Sequence, residues 1–168
     1  IGSRESFARQ KLEMDMQRQV IGGDDVRDWR ITPSSLVLFP YMNGSLVDIT
    51  TQPYCWRFLW PFRTVLGSRA TFTNRTYFQE GRPWWEWHQV ALDRLDARAS
   101  IVFTEIATHN HFAMLEGNAA LKQTAPFIKV SSEGGQEVLL FLLGVLNSST
   151  ACFWLKQVAN CKGLGGQG

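Results

Sequence analysis

Hydrophobic and polar positions along the chain predict short strands first and helices last. Leu12, Met14 and Met16 alternate with Lys11, Glu13 and Asp15, the period of a half-buried strand. The turn-prone stretch IGGDDVRDW (21–29) follows, and then SLVLFPY (35–41), a short apolar run closed by Pro40 that suits a buried strand. Asn43, Gly44 and Ser45 supply a turn. After Pro53 the spacing of Leu59, Phe62 and Leu66 is helical and ends at Gly67, with Pro61 absorbed near the first turn. Residues 73–89 have no clean period and predict a loop built around tryptophans.

Strand patterns return at SIVFTEIA (100–107), which alternates well. HFAMLEGNAALKQTAPFIKV (111–130) predicts two or three short strands around a Gly117-Asn118 turn, and Gly134-Gly135 ends the region. Gln136 to Leu146 is an apolar helix. The stretch NSST breaks it, Ser148 or Ser149 caps the next, and Thr150 to Asn160 continues as an amphipathic helix. The expected fold is α+β: a central mixed β-sheet, a long helix in the N-terminal half and two packed C-terminal helices. Residues 1–168 read as a single domain, with no internal repeat.

Composition sharpens the choice of partner. The formal net charge is only +2, yet twelve arginines stand against five lysines. Arginine is the cation that forks onto phosphates and base edges and stacks on rings. Between Ile49 and Gln79 there is no acid, whereas Arg57, Arg63, Arg69 and Arg75 all lie there, interleaved with Tyr54, Trp56, Phe58, Trp60, Phe62, Phe72, Tyr77 and Phe78. A basic and aromatic block of this kind suits a nucleic-acid backbone; a helix with an aromatic core face and solvated arginines is the plainer alternative. Cys55, Cys152 and Cys161 form no CxxC pair, so neither a disulfide framework nor a zinc knuckle is suggested. The longest apolar run, VLLFLLGVL (138–146), is nine residues, too short to span a bilayer, and the N-terminus has no signal-peptide pattern. A cytoplasmic protein without a membrane partner is expected.

Several motif matches carry no chemistry. GLGGQG (163–168) fits GxGxxG, but it stands at the end of the sequence with no helix pattern in it to receive a phosphate, and no dinucleotide site is expected there. HNH (109–111) shares letters with a nuclease motif whose residues are separated along a ββα unit. His109, His111 and His88 could ligate a metal, but no carboxylate or cysteine completes a usual set, so no metal is assigned. No G-x-S-x-G, Walker loop or HExxH occurs, and no catalytic residue is assigned. The paired acids Asp24-Asp25 and Asp93/Asp96 suit capping. The cluster in GRPWWEWHQV (81–90) admits three readings. Trp84, Trp85 and Trp87 anchor a loop, line a nucleic-acid surface with Arg82, His88 and Gln89 as polar partners, or form a sugar platform.

In order, VIGGDDVRDW, LVLFPY, LWPFRTVLGSR, GRPWWEWHQV, SIVFTEIATHNHFAM and LLGVLNSSTACFWLKQVANCKG resemble the target-recognition region of large adenine-specific DNA methyltransferases of phage-defence systems. The nearest of these are the PglX-type enzymes of BREX, similar to TaqI-like restriction-modification methylases. The resemblance runs from about Gln19 to Gly163. It implies a catalytic domain N-terminal to this piece, binding S-adenosylmethionine and methylating the exocyclic amine of adenine through an Asn-Pro-Pro-Tyr loop. That loop is absent here, so the chain is expected to be an excised C-terminal piece without catalysis or cofactor of its own. Its implied partners are double-stranded DNA, the methyltransferase domain of the same chain and other defence-system proteins. Phosphates would be met by Arg57, Arg63, Arg69 and Arg75, and base edges by Arg82, His88, Gln89, His109, Asn110, His111 and Gln123. A carbohydrate-binding module using the tryptophans and a protein-interaction domain are the alternatives.

Overall fold

The computed structural model describes residues 1–88, 99–117, 119–129 and 135–159. In chain order these form α1 (Arg4–Arg9), β1 (Gln17–Ile21), β2 (Val26–Arg27), β3 (Arg30–Ile31), β4 (Ser35–Leu38), β5 (Tyr41–Met42) and β6 (Ser45–Leu46). Then come α2 (Pro53–Leu59), α3 (Arg63–Gly67), β7 (Ala99–Phe103), β8 (Phe112–Glu116), β9 (Ala120–Leu121), β10 (Phe127–Ile128), α4 (Gly135–Leu146) and α5 (Ser149–Val158). The class is α+β, as the patterns predict. The chain divides into two compact units, each drawn from separate stretches: Ile1–Arg18 with Ser35–Asp96, and Gln19–Ser34 with Ala97–Gly168.

In the first unit, α1 opens on the Ser3 side chain, whose oxygen accepts from the Ser6 amide. It closes with Lys11 at φ 54°, the Leu12 amide donating to Phe7 O and the Lys11 amide to Ala8 O. These are the two bonds of a Schellman end, and its usual hydrophobic contact brings Phe7 and Leu12 into one core with Met16, Leu38, Ile49 and Cys55. The strand expected over residues 11–16 is therefore not formed. Leu12 and Met16 are buried, but Met14 is 84% exposed, because Met14–Met16 turns as a 3-10 helix before β1 begins. Asn43 and Gly44 both have positive φ, the requirement of a two-residue type I′ hairpin, and join β5 to β6. The long helix expected after Pro53 is broken: Pro61 lacks an N–H, and a 3-10 turn at Trp60–Phe62 separates α2 from α3.

The second unit is built on an antiparallel sheet, β10-β7-β8. Alternation sends Ile101 and Phe112 to one face, where Leu139 and Leu143 of α4 cover them, and Val102 and Ala113 to the other, against Ile21, Val26 and Ala125. Each Leu or Ile so buried contributes about 1.5–3 kcal/mol. Gly117 does not turn one strand into a hairpin partner; β9 instead pairs in parallel with β1, Val20 opposite Ala120. Ser148 caps α5, accepting from the Ala151 amide. No single helix among the described residues is long and apolar enough to cross a membrane; α4 and α5 meet that test only as a pair bent by 69°.

Candidate nucleic-acid interface

The arginine block folds into helix and hairpin. From the end of α3 the chain runs out and back: the Phe78 amide donates to Gly67 O (3.1 Å), Tyr77 N to Arg69 O (3.3 Å) and Thr71 N to Arg75 O (2.7 Å), with a bridge between Ala70 and Thr76. Asn74, at φ 59°, turns the tip. The hydroxyls of Thr71 and Thr73 donate to the Glu80 carboxylate, which they hold below the ordinary glutamate range.

The four arginines take two roles. Arg69 is turned inward: Nε donates to Leu66 O (2.6 Å), and Nη2 donates to Trp84 O (3.0 Å) and Glu86 O (2.7 Å). Its guanidinium also lies 4.4 Å from the centre of the buried Tyr77 ring. Arg57 and Arg75 are exposed and, among the described residues, in no ion pair. Arg63 is exposed too, its guanidinium over the rings of Trp60 (5.3 Å) and Phe78 (5.1 Å). Stacking of this kind orients a guanidinium and leaves its N–H edge free for phosphate.

The tryptophan loop is held by its own indoles. Trp85 Nε1 donates to Val47 O (3.0 Å) and Trp87 Nε1 to Leu38 O (3.2 Å), while Tyr41 Oη accepts from the Trp87 amide. Trp84 is 5% exposed and packs against Trp56, Trp60 and Trp85. A sugar platform needs flat rings on an open face; Trp84 and Trp85 instead cross at 88°, and Trp87 meets Phe39 at 85°. Arg82 grips the Glu86 carboxylate with both Nε (3.0 Å) and Nη2 (2.5 Å) and stacks on Tyr77. His88 is exposed, with Nδ1 3.1 Å from Tyr77 Oη and its ring stacked on Phe72 at 5.5 Å. Gln89 lies outside the described residues. A cavity of about 410 Å³ beside this loop includes Phe58, Leu66, Trp85, Arg69 and Glu86 in its lining, and its arginine and glutamate are already engaged.

In the second unit, Asn110 uses Nδ2 to donate to Leu146 O (2.6 Å) and Ser148 O (3.2 Å), so its amide closes the end of α4. Its neighbour in this seam, Asn147, holds both the amide and the carbonyl of Phe112. His111 is partly buried, with Nδ1 3.6 Å from Asp28 Oδ1 and 3.5 Å from the Asp28 amide. His109 and Gln123 are exposed, His109 Nδ1 being 2.9 Å from Thr108 Oγ1. Asp25 caps its own turn through the Gly22 amide, as expected; Asp93 and Asp96 lie outside the described residues. Among the described residues no cluster of histidine, cysteine and carboxylate side chains is placed to hold a metal.

Sequence reasoning did not single out Trp29. It tips the β2-β3 hairpin, 56% exposed at φ 69°, a backbone region that bulky residues rarely enter. Strain at an exposed aromatic is associated with binding sites, but only the geometry reveals it, since no glycine marks the turn.

No protein-family model matches the chain. Over 159 residues, 94% of its length, it is 45% identical to a protein of Streptomyces coelicolor, the adenine-specific methyltransferase PglX. The chain is similar to part of a methyltransferase. It spans 13% of the length of PglX, so the similarity is to one segment of a much larger protein.

Proposed function

We propose that the chain is the DNA-recognition region of a larger adenine N6-methyltransferase of the restriction-modification or phage-defence kind, and that it catalyses nothing by itself. The observation that carries this reading is the fate of the charges around the basic block. Glu80 accepts from the hydroxyls of Thr71 and Thr73, and Glu86 is paired with Arg82, so the two acids that follow the block are engaged within the fold while Arg57, Arg63 and Arg75 stay exposed. Phosphate contact from these three gives an affinity that is blind to sequence and falls with salt. Arg69, Arg82 and Asn110, whose donors are engaged within the fold, act by positioning the loops. Base edges fall to exposed side chains, Gln123 and His109 in the second unit and His88 in the first; Gln89, outside the described residues, is kept as a candidate from the sequence.

The sequence holds no Asn-Pro-Pro-Tyr loop, so S-adenosylmethionine is not assigned to this chain. The methyl transfer is assigned to the remaining polypeptide. A face toward that polypeptide, or toward other defence-system proteins, is supported by α4 and α5, where Phe141, Phe153 and Trp154 are 74%, 70% and 60% exposed.

The test is duplex binding across a salt series. Each lost phosphate contact reduces the slope of log K against log salt by about 0.9, so the triple variant Arg57→Ala, Arg63→Ala, Arg75→Ala is expected to lose about 2–3 from the slope. An unchanged slope would overturn the phosphate grip.

A further inference from the structure

We propose that Phe72 is a wedge that enters a base step of duplex DNA, with the hairpin from Gly67 to Phe78 as its rigid mount and Arg75 and Arg63 as its phosphate anchors. The inference rests on the DNA-recognition reading and adds to it how the duplex is deformed.

Phe72 is 79% exposed at a hairpin tip, a place where folding gains nothing from a large apolar ring. The ring is nevertheless held. His88 stacks on it at 5.5 Å with 29° between the planes, and His88 is fixed in turn by Tyr77 Oη at 3.1 Å. The tip is equally well determined: Thr71 N donates to Arg75 O at 2.7 Å, Asn74 N to Thr71 O at 3.2 Å, and Glu80 receives the hydroxyls of Thr71 and Thr73. A flat ring backed on one side and open on the other, on a loop that has little freedom left to lose, is what insertion between bases requires.

Charge selects the occupant. The hairpin lies in a stretch with no acid from Ile49 to Gln79, and Arg75, three residues from Phe72, is exposed and in no direct ion pair among the described residues, the Glu80 carboxylate acting on it only at longer range. Arg63, on the helix that leads into the hairpin, stacks on Phe78 of the returning strand. An apolar wedge flanked by cations matches a polyanion whose interior is a stack of rings. It does not match an apolar protein groove, which would leave the arginines facing no acid.

A wedge must unstack the step it enters, so DNA that is already loosened should bind more tightly. The experiment measures binding of the full chain to two 30-base-pair mixed-sequence duplexes by fluorescence anisotropy. One is fully paired; the other carries a single central T·T mismatch. The protein is expected to prefer the mismatched duplex about tenfold, corresponding to ~1.4 kcal/mol. Phe72→Ala should bind both duplexes alike while keeping the salt slope and the thermal stability of the parent, and Phe72→Trp should restore the preference. A preference undiminished in Phe72→Ala, or equal binding of both duplexes by the parent, would overturn the wedge and leave the phosphate grip standing. Absence of binding to either duplex would overturn the DNA reading and the wedge together.

Discussion

At the scale of single residues, Gly67 decides whether the hairpin can leave its helix. A Cβ there would fall 2.1 Å from the Phe78 ring, well inside contact distance, so the ring occupies the space that any other residue would need. Gly67→Ala must displace an aromatic side chain that also carries Arg63, and overpacking of this kind costs about 1–3 kcal/mol. Chemical denaturation should register that loss, and a variant as stable as the parent would mean that Phe78 packs elsewhere. Arginines show how far composition reaches. Sequence alone places Arg57, Arg63, Arg69 and Arg75 in one acid-free block, but it treats all four alike. Only the fold turns Arg69 onto three carbonyls and leaves Arg57 and Arg75 outward.

Elements with local signals were legible, and those that depend on distant partners were not. The Asn43-Gly44 turn, the strand at Ser35–Leu38 and the Ser148 cap follow from neighbouring residues. The helix α1 does carry its signals, Ser3, Glu5 and Arg9, but it buries only Phe7 and so shows no apolar period. The start of α2 is a case of distant support. Its capping residue Gln52 supplies no side-chain bond; instead Glu13, 41 residues away, accepts from the amides of Tyr54 (2.8 Å) and Cys55 (2.9 Å). Burial and the Glu13 carboxylate push the Cys55 thiol up to about 12. Because the folded value lies above that of the unfolded thiol, this contribution is present below about pH 9 and is lost as the pH rises toward 12. Two outcomes follow. At pH 8, iodoacetamide should alkylate Cys152 and spare Cys55, by mass spectrometry of the digest. The decline in stability above pH 9 should be shallower in Cys55→Ala than in the parent. Prompt alkylation of Cys55 would contradict its burial.

At the scale of the whole molecule, the C-terminal helices stand out. On α4, Leu139 and Leu143 are covered, yet Val138, Phe141 and Val145 on another face are 42%, 74% and 45% exposed. A helix apolar on both faces is expected to be buried on both. The chain alone should therefore self-associate at high concentration, and Phe141→Glu with Trp154→Glu should elute as a monomer in size-exclusion chromatography with light scattering. A parent that is already monomeric would argue against a docking face. The parallel pairing of β1 with β9 has a different consequence. Val20 leaves the ribosome one hundred residues before its partner Ala120. At about 5–20 residues per second, that strand edge waits roughly 5–20 s during synthesis, so nascent chains are most exposed to chaperones and misassociation in the interval before Ala120 emerges.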